Sequence, residues 1–212
     1  MALAKNSILY LISTICLKAV GFLLLPLYTH MVSPTEYGYV YVVSAFQTFM
    51  GLLLTLSMPG AIGRFYFDCK NIDEIKQMYS LQVYSVTIFA TCITIIVLLL
   101  RERISSLIDL PEKYFVFAVL IAYFSLFYNL VIALLYAMEQ AVKISLISIL
   151  IGTSTIVIQL IMVFNLTDKA QALILAMLFS AVLTFIIFIY FSKPFLIIPK
   201  GKKEYLIKYY KY

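Results

Sequence analysis

The sequence predicts an all-α membrane protein built as a six-transmembrane-helix bundle. Three observations carry that prediction. Hydrophobic residues make up 64% of the chain and charged residues only 12%, with a mean hydropathy of +1.02, outside the range of ordinary soluble domains. Six apolar runs each approach the roughly 20 residues that a helix needs to cross a bilayer. None alternates at period two, and lipid leaves helices or closed barrels as the only spanning structures, so the runs read as helices.

The first span is placed at about 7–29 and the second at about 37–59. The first run is too long for a removable signal and has no small-residue cleavage pattern after it, so it is expected to stay as a helix. Pro59-Gly60 is expected to end or kink the second span. The polar stretch 61–78 follows, where Asp73 and Glu74 suit a helix entry because acidic groups meet the positive end of the dipole. The remaining spans are placed at about 79–100, 114–137, 143–164 and 170–192. Residues 1–192 thus form one bundle, and 193–212 a basic, Tyr-rich linker.

The short loops make successive spans antiparallel. One side then collects Lys5, Arg64, Lys70, Lys76, Lys143 and the six lysines from Lys193 onward; the other collects Arg101, Arg103, Lys113 and Lys169. This eleven-to-four bias predicts both termini in the cytoplasm. A net charge of +6 in such a chain reports topology rather than nucleic-acid binding. With no Trp, 17 Tyr and 16 Phe must supply any interfacial belt. Cys16, Cys69 and Cys92 form neither a disulfide framework nor a metal-ligand spacing.

Each span carries a polar or small-residue stripe at helical spacing. Span one has Ser7, Thr14, Lys18 and Gly21. Span two has Tyr37, Tyr41, Ser44, Thr48, Gly51 and Thr55, with Gln47 beside them, and span three has Ser80, Tyr84, Thr87, Thr91 and Thr94. Span four has Ala122, Ser125, Asn129, Ala133 and Tyr136. Ser145, Ser148, Gly152, Thr155 and Gln159 follow on span five, and Ala172, Ala176, Ser180 and Thr184 on span six. Small residues and hydroxyls at membrane-helix seams account for the last set by packing alone. They account poorly for spans one and two, where Lys18, Tyr41 and Gln47 are too bulky or polar for a tight seam.

Lys18 is the one charge at mid-span depth, where an amine costs roughly 2.5–3.5 kcal/mol to insert. It has three readings: a water-accessible cavity or ligand, an internal ion pair, or snorkelling, which its depth disfavours. Arg64 and Asp68, four apart, either pair on one helix face or leave Arg64 free to meet a phosphate. His30, Glu139, Lys143, Asp168 and Lys169 read as solvated residues at span ends. Glycine-rich phosphate loops and carboxylate or histidine clusters with metal spacing are absent from the sequence, so transport, without catalytic residues or cofactor, is expected rather than an enzyme.

Lys18-Ala19-Val20-Gly21-Phe22, Leu25-Pro26-Leu27-Tyr28-Thr29, Ser33-Pro34-Thr35-Glu36-Tyr37-Gly38 and Gly63-Arg64-Phe65 together resemble the start of the polysaccharide biosynthesis exporters. These are the O-antigen and capsule repeat-unit flippases of the multidrug/oligosaccharidyl-lipid/polysaccharide exporter superfamily. The resemblance implies the amino-terminal lobe of a MATE-like or lipid II flippase-like transporter in the bacterial inner membrane. Its substrate would be an undecaprenyl-diphosphate-linked oligosaccharide, turned from the cytoplasmic to the outer leaflet for O-antigen, capsule or exopolysaccharide synthesis. By the same resemblance Lys18 and Arg64 would engage the diphosphate. Tyr41, Gln47, Thr48 and Asn129 are then expected to meet sugar hydroxyls. Implied partners are membrane lipids, a polysaccharide polymerase and glycosyltransferases, and either a missing carboxy-terminal bundle or a second copy of this chain. The competing classes are a small-molecule or multidrug exporter of the same superfamily and a non-transporting scaffold in a glycan-assembly complex.

Overall fold

The computed structural model describes residues 28–198 together with Ile15, Ala19, Phe22 and Pro26. Among the described residues the chain is a bundle of helices with no strand: α1 (Pro34–Thr55), α2 (Met58–Tyr66), α3 (Ile72–Leu99), α4 (Arg101–Leu107), α5 (Glu112–Ala137), α6 (Ala141–Asn165) and α7 (Lys169–Ser192). Five of them, α1, α3, α5, α6 and α7, are long and apolar enough to cross a membrane, which makes this a multi-pass membrane protein. The predicted first span lies mostly outside the described residues, and Lys18 and the linker from residue 199 lie outside them.

Helix entries follow local chemistry. Ser33 and Glu36 form a reciprocal capping box at α1, with Glu36 N–H donating to Ser33 Oγ at 3.3 Å and Ser33 N–H donating to Glu36 Oε2 at 2.8 Å. At α3, Asn71 Oδ1 accepts from Glu74 N–H at 2.9 Å while Glu74 Oε2 accepts from Lys70 N–H at 3.0 Å. That cap starts α3 seven residues before the expected membrane boundary, because its first two turns are polar and escape a hydropathy reading. Asp168 caps α7 by accepting from Gln171 N–H at 2.9 Å.

The second span does not end where the proline suggested. Leu56 and Ser57 both adopt left-handed backbone, with φ of 48° and 57°, and the helix breaks there before Pro59. Proline is at home in a first helical turn, where its missing N–H has no partner to lose, so Pro59 opens α2 instead of closing α1. Left-handed backbone costs a non-glycine residue roughly 1–2 kcal/mol. Packing of Ile62 and Phe65 into the bundle offsets that cost. The loop between spans three and four holds the short helix α4, which the sequence reading missed, and an exposed Arg101–Glu112 ion pair at 2.6 Å.

Helix α5 is central and packs against every other described helix. Its closest neighbour is α7, and alanines explain the approach: Ala118 on α5 and Ala170 and Ala181 on α7 are buried in one shared apolar cluster. Lipid is as apolar as the bundle core, so close van der Waals packing, rather than water exclusion, selects this seam. Phe127 anchors it, with ring centroids 4.8 Å from Phe185 and 4.9 Å from Phe188. Helix α6 sits at the periphery, with 11% of its most apolar stretch buried against 50% for α5.

Candidate functional site

The stripes of α1 and α5 face each other across a cleft of about 1080 Å³ that α2 completes. From α1 come Gln47, Thr48, Gly51, Leu52 and Thr55; from α5 come Ala122, Ser125, Leu126, Asn129, Ile132, Ala133 and Tyr136. All five members of the span-four stripe therefore line one wall. Helix α2 adds Pro59, Gly60 and Gly63, with Ser57 before it and Phe67 after it. The volume lies at the upper end for small-molecule sites, and the mixture of apolar wall and few polar groups is the usual one.

The polar groups differ in how free they are. Thr48 Oγ1 donates to Ser44 O, and Thr55 Oγ1 to Gly51 O, each at 2.9 Å. Those hydroxyls have used their protons within α1 and remain acceptors. Gln47 Nε2 donates to Ser125 Oγ at 3.4 Å. Asn129 is exposed on the cleft wall, and its amide offers two N–H donors and a carbonyl acceptor.

Of the residues singled out from sequence, Gln47, Thr48 and Asn129 are brought together here. Tyr41 sits on α1 two turns before Thr48, outside the cleft lining, 63% exposed and with its ring 5.3 Å from that of Tyr37. Arg64 lies in the last turn of α2, exposed, its guanidinium carbon 6.0 Å from the Phe65 ring centroid. Asp68 falls beyond the end of α2, so the two do not share one continuous helix face. Sequence reasoning missed Ser57, Gly60, Gly63, Phe67 and Glu139. Gly60, Gly63 and Phe67 follow i, i+3, i+7, a pattern visible only once α2 is known to start at Met58.

The cleft occupies the end of the bundle where α1 and α5 finish. At the opposite end the starts of α1, α5 and α7 are tied together. Asp168 accepts from Lys113 Nζ at 2.6 Å and from the Tyr114 hydroxyl at 2.7 Å. Glu36 Oε1 accepts from Lys169 N–H at 3.1 Å, and Lys169 Nζ donates to Val163 O and Leu166 O, both at 2.7 Å. Partial burial pushes the Asp168 carboxyl up, but the Lys113 ammonium, the Gln171 N–H and the Tyr114 hydroxyl together hold it below the usual carboxylate range. Asp168 and Lys169 are thus more than solvated span ends. The bundle is clasped at one end and cleft at the other.

Among the described residues no group of three or more His, Cys, Asp or Glu side chains is placed to hold a metal ion. A family model described as polysaccharide biosynthesis protein matches residues 3–210. No curated protein and no solved structure matches the chain significantly.

Proposed function

The chain belongs to the polysaccharide biosynthesis protein family, and from that premise we propose that it forms one helical bundle of a transporter that turns a polyprenyl-diphosphate-linked oligosaccharide across the bacterial inner membrane. The observation that carries the reading is the cleft with Gln47, Thr48, Ser125 and Asn129 on its walls. Amides and hydroxyls set among apolar side chains suit sugar hydroxyls, which both donate and accept, and exclude competing water. With both termini cytoplasmic, as the charge bias predicts, the cleft opens inward and the clasped end faces out. A glycan bound there can drive reorientation only through its differential affinity for the two states. Lys18 and Arg64 take the diphosphate in this reading, and the prenyl tail stays in lipid. A carboxy-terminal bundle or a second copy closes the open side of the cleft.

One observation favours a second reading. Glu139 lines the cleft at its open end, and a carboxylate there suits a cationic small molecule better than a diphosphate. The double variant Gln47→Leu/Asn129→Leu, in cells that depend on this gene, separates the two. Loss of surface polysaccharide at normal protein level, with lipid-linked oligosaccharide accumulating inside, supports glycan flipping. Unchanged polysaccharide together with lost efflux of an organic cation overturns it in favour of the exporter.

A further inference from the structure

A second groove of about 500 Å³ lies at the same end of the bundle, between the end of α5, the start of α6 and the segment that leaves α7. Its walls are apolar: Leu134, Leu135, Phe191 and Phe195 contribute. Its polar groups are Gln140, Lys143 and Tyr190, and Tyr190 is 76% exposed, as befits an aromatic at the level of lipid headgroups.

Among the described residues, three features there lack a partner. The Oε1 of Gln140 is buried yet accepts no hydrogen bond among the described residues, although buried carbonyl oxygens are nearly always satisfied. Helix α6 begins at this point without a side-chain cap or an acidic residue in its first turn, so no side chain within that turn offsets its positive end. Lys143 occupies that same first turn, adding a cation where the helix dipole already disfavours one, and no ion pair among the described residues neutralises it. An anion answers the last two together, and a hydroxyl donor answers the first.

We propose that this groove holds an anionic glycerophospholipid of the phosphatidylglycerol type. Its phosphate meets Lys143 and the opening turn of α6, a headgroup hydroxyl donates to Gln140 Oε1, and an acyl chain lies along Leu134, Phe191 and Phe195. Phosphatidylethanolamine satisfies Gln140 but brings its own ammonium toward Lys143. Phosphatidylcholine has no donor at all. Basic pockets between membrane helices select anionic headgroups on these grounds. The site is separate from the glycan cleft, although the two touch consecutive residues: Glu139 lines one and Gln140 the other.

The test is native mass spectrometry of the full chain released from nanodiscs containing equal phosphatidylglycerol and phosphatidylcholine with matched acyl chains. Phosphatidylglycerol should be retained about fivefold over phosphatidylcholine, the factor expected for one lysine near the headgroups. Lys143→Gln should bring that ratio to about one, and in nanodiscs that also carry phosphatidic acid Gln140→Leu should weaken phosphatidylglycerol relative to it. Circular dichroism of each variant establishes that the helices are intact. Equal retention of the two lipids, or a preference that survives Lys143→Gln, overturns the proposal. Displacement of the lipid by glycerol 3-phosphate alone also overturns it, by showing a site for a free phosphate.

Discussion

Gln47 and Ser125 meet inside the cleft at 3.4 Å, amide to hydroxyl, a separation that joins α1 to α5 but is long for an N–H···O bond. A sugar hydroxyl arriving at about 2.8 Å would form the better contact and displace it. Ser125→Ala should therefore leave melting within about 0.5 kcal/mol and transfer within about threefold, since the lost bond is weak. Under the proposed function, Gln47→Leu removes the amide that meets the glycan and should slow transfer of lipid-linked oligosaccharide in liposomes by up to about tenfold. Equal effects from the two variants would mean that the pair is structural.

Lys18 stands in a segment outside the described residues, and its role rests on the family reading. Lys18→Ala should abolish surface polysaccharide while immunoblots show unchanged protein. Lys18→Arg should retain export, because guanidinium also binds phosphate and does so with a fork of donors. Arg64→Ala should reduce export less, given its exposed position. Normal polysaccharide in Lys18→Ala cells would remove this lysine from the mechanism.

Asp168 links the starts of α5 and α7, and its carboxyl titrates below the usual carboxylate range. A depressed native pKa stabilises the fold above the unfolded value of about 3.9, and that gain is lost as pH falls through the native value. Asp168→Asn should lower stability at pH 7. The effect should stay near or below about 1 kcal/mol, because the Lys113 and Asp168 side chains are 52% and 34% exposed and solvent screens the pair. Melts in detergent should converge for the two proteins below about pH 3.

Tyr79 and Ser192 share a hydroxyl–hydroxyl bond of 2.7 Å, with both side chains fully buried, joining α3 to the end of α7. Tyr79→Phe should cost about 1–2 kcal/mol, because it deletes one bond and strands the Ser192 hydroxyl. Adding Ser192→Ala should recover part of the loss in a double-mutant cycle of thermal stabilities. Additive losses would show that the hydroxyls do not depend on each other.

Much of the bundle was legible before any coordinates. The spans expected at 114–137, 143–164 and 170–192 correspond to α5, α6 and α7 within two residues at each end. The stripe Ala122, Ser125, Asn129, Ala133 and Tyr136 proved to be a single cleft wall. From the stripe of span five, Gln159 and Thr155 form cross-helix bonds, Tyr28 hydroxyl to Gln159 Oε1 at 3.2 Å and Thr155 Oγ1 to Ser180 Oγ at 2.8 Å. Periodicity names such faces because a helix places residues three and four apart on one side whatever surrounds it. It cannot say what the face meets, so seam and cavity stripes look alike in sequence.

In this protein the chain alone determined the five described membrane-length helices and the polar side of each, since a backbone in lipid has to satisfy its hydrogen bonds within its own segment. Tertiary structure decided everything that depends on a second segment. It set the turn at Leu56 and Ser57, where the gain from docking Ile62 and Phe65 outweighs left-handed strain. It brought Asp168 into contact with Lys113 and Tyr114, more than fifty residues away in the chain. Above all it opened the space between α1 and α5, because an amide at Gln47 and another at Asn129 come to line one cleft only when two separately formed helices pack against each other.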